Sequence, residues 1–292
     1  MRATMISLGD AGVLAPGRWR WARALGWMVL LFVAASFLLY PNWLRLSGLG
    51  RDVIRPVMTL VAYLAYAAAV RWGERRDPDE LAPRAALPEL AIGLAVGTGM
   101  FALVFTILRV AGVYTLASGQ WSDWANDLAS MLRVGFAEEL LLRLIVFRLL
   151  MRAVGLWAAL AASALLFGLM HLGNPNASLV AAIAIAVEAG LMLAAFYLLT
   201  GRIWMAVGVH AAWNIAQGSI FGARVSGVAD TGSLFVSAPV AGSPDWLSGG
   251  AFGPEASLPA MLVGFCVFLL VMAVALRRSR GAHPRGTGGH RS

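Results

Sequence analysis

An all-α, polytopic membrane helix bundle of about eight spans is the fold class this sequence predicts, and three observations predict it. Of the 292 residues, 60% are apolar and 13% charged, where soluble domains carry about 25% charged residues. The mean hydropathy is +0.75. The apolar residues fall into eight stretches, most of them near the roughly 20 residues that carry a helix across about 30 Å of hydrocarbon. Long continuous runs exclude a soluble enzyme, and they exclude an outer-membrane barrel, whose strands alternate over segments of about ten residues.

The spans are expected at Ala24–Tyr40, Val57–Val70, Leu90–Val110, Leu128–Leu150, Gly155–Met170, Ser178–Leu199, Ile203–Phe221 and Leu258–Leu276. In the first, Arg18, Arg20 and Arg23 precede the apolar run, but the Pro41-Asn42-Trp43 that follows is not a small-residue cleavage site, so a retained helix is expected. The second is short, and Arg55-Pro56 at its start can cap a helix or break one extending from Val53. Residues 1–127 then hold three spans behind a basic N-terminus, 128–221 form a core of four, and 258–276 hold the last. Residues 222–257 are rich in Gly, Ser and Ala, include Asp230 and Asp245, and read as an outer loop. The basic, Gly-rich stretch 277–292 reads as a disordered tail against an anionic leaflet.

All 23 basic residues are arginine, against 15 acids, for a net charge of +8. Basic loops tend to stay cytoplasmic. Outside the spans, only Arg45, Arg51, Arg55 and Arg224 fall on outer segments if the N-terminus is inside. Both termini are therefore expected in the cytoplasm, and the surplus charge calls for no nucleic acid. Cys266 is the single cysteine, which excludes an intramolecular disulfide and a cysteine-cluster metal site.

An ionisable side chain inside a bilayer costs at least about 2.5–3.5 kcal/mol on insertion scales, so each is a candidate for function. Glu138, Glu139 and Arg143 lie in the fourth span, His171 ends the fifth, Glu188 lies in the sixth, and His210 with Asn214 in the seventh. On a helix, Glu139 and Arg143 stand four apart on one face and can pair, while Glu138 turns about 100° away toward a different neighbour. His210 and Asn214 are also four apart, an imidazole and an amide on one face. Taken singly, each has a structural reading: an ion pair that cements helices, an interfacial histidine, hydrogen-bonding glue between spans. Taken together they can do more. A carboxylate with an imidazole can deprotonate a water, and a second histidine with an amide can donate to the oxygen of a tetrahedral intermediate. No serine or cysteine stands in a nucleophile motif, which favours attack by water.

Glu-Glu-x-x-x-Arg, Phe-x-x-x-His and His-x-x-x-Asn, in this order on successive helices, resemble the three signature motifs of the CPBP family, the CAAX protease and bacteriocin-processing or Abi family. Its members are multi-span intramembrane endopeptidases related to type II CAAX prenyl endopeptidases. The resemblance covers about Leu128 to Gly218 and makes the 128–221 core catalytic. It implies that Glu138 and His171 activate the water, that His210 and Asn214 form the oxyanion hole, and that Glu139 and Arg143 support the site. The family has been described both as metalloproteases and as glutamic proteases. Two His and two Glu could hold zinc, but no His-Glu-x-x-His helix is present, so no metal and no cofactor are expected. The partners implied are the lipid bilayer and a membrane protein or peptide substrate. The all-arginine basic set and compact chain fit a bacterial inner membrane, where a prenylated protein is not the expected substrate. A non-catalytic immunity or scaffold protein, and a transporter with a proton relay through Glu188, are the readings from other classes. For Glu188 itself, pairing with an arginine in a structural role is preferred to lining the cavity.

Overall fold

The computed structural model describes residues 6–44, 47–229 and 232–281. Arg2, Arg45, Asp230 and the tail beyond Gly281 lie outside the described residues. The first helix, α1 (Arg20–Leu39), is followed by α2 (Gly48–Ala68), which runs straight through Pro56 and continues as a π-helical turn, Ala69–Gly73. Next come α3 (Ala86–Val110) and a short strand, β1 (Tyr114–Ser118). Helix α4 (Trp124–Glu139) passes without a break through a π-helical segment, Leu140–Phe147, into α5 (Arg148–Val154). Helix α6 (Leu156–Met170) ends in a 3-10 turn, His171–Gly173. The sixth span is built from α7 (Leu179–Ile185), a π-helical segment Ala186–Leu191, and α8 (Met192–Thr200). The seventh is α9 (Trp204–Asn214) with a π-helical extension, Ile215–Ile220. Strand β2 (Phe235–Pro239), the single turn α10 (Asp245–Ser248), a 3-10 turn Pro254–Ala256 and α11 (Leu258–Gly281) complete the chain.

Six of these helices, among the described residues, are long and apolar enough to cross a membrane. The two expected spans that do not qualify are those carrying the polar motifs. The fourth is studded with Glu138, Glu139, Arg143 and Arg148, and the seventh is short. Both are instead wrapped by the others, with the middle of the fourth, Leu140–Phe147, entirely buried. Hydropathy fails there because protein, not lipid, surrounds these helices.

The bundle is held by backbones in close contact, since lipid offers little hydrophobic drive between helices. A Cβ built on Gly93 of α3 would lie 2.5 Å from the Met205 carbonyl oxygen, and one on Gly97 2.3 Å from that of Val209. Any side chain larger than hydrogen would push α9 off α3. A cluster of Phe101, Phe105, Trp213 and Phe221 closes the same seam, the Phe105 and Phe221 rings stacked at 4.3 Å.

Three features depart from the sequence reading. The segment 222–257 is folded instead of looped: β2 pairs antiparallel with β1, Tyr114 opposite Pro239, so the bundle is helical but carries a two-stranded sheet. Pairing satisfies two extended backbones at the edge of the bundle, and the buried Tyr114 anchors them through a hydrogen bond from its hydroxyl to the Ser248 carbonyl, 2.9 Å. Arg148, near the end of the expected fourth span, is wholly buried, both Nη atoms 2.8 Å from the Glu74 carboxylate. Arg76 bridges Glu74 and Glu80, and Trp27 and Tyr66 donate to the same two carboxylates. A guanidinium so fully matched can leave water. The last helix also runs past Leu276, so Arg277 to Gly281 are helical.

The glycine seam gives a direct test. Gly97→Val overpacks α3 against α9 and is expected to destabilise the protein by about 1–3 kcal/mol, read as a lower unfolding midpoint of the detergent-solubilised protein, whereas the same change at Gly99, which faces open space, costs less.

Candidate active site

Two adjacent glutamates close α4, and the helix sends them in different directions. Glu139 points into the bundle. Its Oε2 lies 3.1 Å from Arg143 Nε, one turn on in the π-helical segment, and both side chains are fully buried. Its Oε1 lies 2.9 Å from His210 Nδ1 on α9. A carboxylate facing a guanidinium acts as an acceptor, so Nδ1 carries the proton and donates it. Glu138 turns instead to a cavity, its Oε2 3.8 Å from His210 Nε2.

Phe167 on α6 organises the other half. Its carbonyl oxygen accepts from His171 Nδ1 at 2.8 Å, which fixes the tautomer and leaves Nε2 as the accepting nitrogen. Its ring lies edge-on to the His171 and His210 rings, at 4.8 and 6.1 Å between centroids. The Arg143 guanidinium sits 4.9 Å from the same ring and donates to the Ala189 carbonyl at 3.3 Å. The aromatic position of Phe-x-x-x-His thus ties the arginine of the first motif to the histidines of the second and third.

These elements surround one cavity of about 260 Å³, lined by Glu138, His171, His210 and Asn214 together with Phe167 and Trp213. The sequence puts His171 near the outer end of its span and the others nearer mid-membrane. The structure brings them together by folding outer segments inward: Val225, Ser226, Val228 and Ala229 line the cavity, and the Gly227 N–H donates to the Phe252 carbonyl at 2.7 Å. Gly227, at φ +81° and with its Cβ position 1.8 Å from the Pro175 oxygen, is where only glycine lets this lip pass under the loop after His171.

Residues 120–216 match the family model described as type II CAAX prenyl endopeptidase Rce1-like. This segment is similar to that family. No curated protein and no solved structure matches the chain at a significant level. The Rce1-like segment begins just before α4 and ends just after Asn214, so all three motifs fall inside it. The match covers about a third of the chain, and α1 to α3 and α11 lie outside it.

Beyond the Rce1-like segment lie residues that sequence reasoning missed. Glu255 reaches the cavity from the 3-10 turn before α11, 2% exposed, with Oε1 2.6 Å from the Ser226 N–H that it accepts. Burial pushes its carboxyl above the usual carboxylate range, against the pull of His171 and the hydrogen bonds from Ser226 and Gln217. Gln217 accepts from Trp213 at 3.0 Å and donates to the Arg224 carbonyl at 2.6 Å, holding the lip. Gln217 was open to detection as a third amide-or-imidazole position on the seventh span, whereas Glu255 lies in a Gly-rich stretch with no motif. The expected Arg partner of Glu188 is also absent among the described residues: Glu188 is 2% exposed and faces the cavity. Arg143, which reaches the carbonyl of the adjacent Ala189, is itself held by Glu139 and the Phe167 ring.

Among the described residues no three His, Cys, Asp or Glu side chains converge as a ligand cluster, and the Nδ1 atoms of His171 and His210 are held by the Phe167 carbonyl and the Glu139 carboxylate.

Because Glu139 accepts from one helix and pairs with its own, Glu139→Ala strands a buried guanidinium. A loss of about 3–5 kcal/mol of stability is expected, measured by chemical denaturation in micelles, against a far smaller change for Glu138→Ala, whose side chain borders the cavity.

Proposed function

We propose that this protein is an intramembrane endopeptidase that hydrolyses a peptide bond of a membrane protein or peptide with a water activated by Glu138 and His171. The observation that carries the reading is that Glu138, His171, His210 and Asn214, from three separate helical spans, line one cavity. Glu138 is a carboxylate with cavity access, and His171 presents an accepting Nε2 because Phe167 occupies its Nδ1. Between them they can take the proton of a water as it attacks the carbonyl carbon, and return it to the departing amine.

The developing oxyanion needs donors placed in advance. The Asn214 amide makes no hydrogen bond to a described residue and borders the cavity. His210 already donates Nδ1–H to Glu139, so its Nε2 can donate to an oxyanion only as the imidazolium. Arg143, by holding Glu139, sets the angle of that ring. Roles for Glu139 and Arg143 in positioning follow from these contacts.

The arginine asymmetry supports both termini in the cytoplasm. In that orientation the cavity opens to the outer side, because Asn174, the 225–229 lip and Glu255 all belong to outer segments. An inner membrane is the compartment that suits this arrangement.

Glu138→Gln and His171→Ala should each lower cleavage of a peptide library by about 100-fold or more, and Asn214→Ala by about 100-fold, with the purified proteins still folded. Cleavage at the parent rate by Glu138→Gln would overturn the reading. Activity that is lost in 1,10-phenanthroline and restored by zinc would overturn the metal-free form of it.

A further inference from the structure

The hydrolysis proposed above uses Glu138 and leaves two more carboxylates on the same cavity without a role. Glu188 comes from the π-helical segment Ala186–Leu191. There the backbone of α11 presses directly on it, a Cβ on Gly264 falling 2.6 Å from the Glu188 Cα. The side chain cannot retreat toward α11 and borders the cavity. Its carboxylate makes no hydrogen bond to a described residue, and its Oε2 is buried with no partner. Glu255 approaches from the opposite chain segment, held by Ser226 and Gln217. The charge of Glu255 acts on Glu188, and that of His171 on Glu255.

The wall is therefore rich in carboxylates. Three of them, Glu138, Glu188 and Glu255, line the cavity beside His171 and His210, and no guanidinium of a described residue does. The chain has no lysine to supply an ammonium. A buried carboxyl group is kept ionised only with a cation or a full set of donors, and Glu188 has neither among the described residues. The missing partner fits the occupant of the cavity.

We infer that Glu188 and Glu255 form a cation-binding subsite that receives an arginine or lysine side chain of the substrate peptide beside the bond to be cleaved. The inference rests on the peptidase reading and deepens it: the substrate class becomes apolar peptide with a basic residue near the scissile bond. A guanidinium suits the pair well, since its fork can donate to two carboxylates at once.

The test uses the full chain in micelles and short apolar peptides, acetylated and amidated at their ends, in which one residue is arginine or its neutral isostere citrulline, scanned along the sequence. Cleavage is measured with the parent protein, and binding with Glu138→Gln. At one or two positions the arginine peptide should be cleaved and bound about tenfold or more better than its citrulline twin. Glu188→Gln and Glu255→Gln, each checked for folding by its elution profile and introduced separately, should bring that ratio close to one. A ratio near one at every position in the parent, or one that survives both substitutions, overturns the subsite while leaving peptidase activity standing. Binding that prefers arginine without cleavage of any peptide would instead overturn the peptidase reading and leave the subsite in place.

Discussion

The Glu139 carboxylate, buried between Arg143 and His210, is the interaction on which the rest of the site depends. It joins the fourth span to the seventh at the depth where water cannot compensate a charge. Each of its oxygens is committed, one to a guanidinium and one to an imidazole, so the His210 ring has one orientation and one proton assignment on Nδ1. Removing any of the three leaves a buried charge or donor without a partner, which is more costly than never having had the group. Glu138, next in sequence, is released from this duty and borders the cavity.

Backbone detail makes that division possible. Arg143 and Glu188 both lie in π-helical segments, and a third such segment follows Asn214. An extra residue per turn rotates side chains away from where an ideal helix would aim them, and such segments recur at functional sites. The close backbone contacts at Gly93, Gly97 and Gly264 then hold the rotated helices in register, since a seam with no side chains has no slack. Phe167 completes the arrangement with its carbonyl on one histidine and its ring against the guanidinium.

The outer segment 222–257 has a structural role that its composition conceals. Its two-residue contacts, Gly227 with Phe252 and Ser226 with Glu255, fold the chain back over the cavity and bring a carboxylate to His171. The strand pair β1–β2 anchors the same segment to the end of α3, where Arg109 donates to the Tyr114 carbonyl.

The helical membrane character, the order of the spans and the three motif faces were legible in the amino acids alone, because apolar run length and a four-residue spacing are local properties that survive whatever the neighbours are. Glu139 with Arg143, and Glu138 turned elsewhere, followed from the helix angle. What only the tertiary structure decided was which groups share a space: that His171 meets residues drawn deeper in the bilayer, that Glu255 comes from a stretch without a motif, that Glu188 has no arginine partner among the described residues, and that Arg148 is buried in a network with Glu74. Those outcomes depend on how distant segments pack, and neither hydropathy nor periodicity carries information about contacts between residues far apart in the chain.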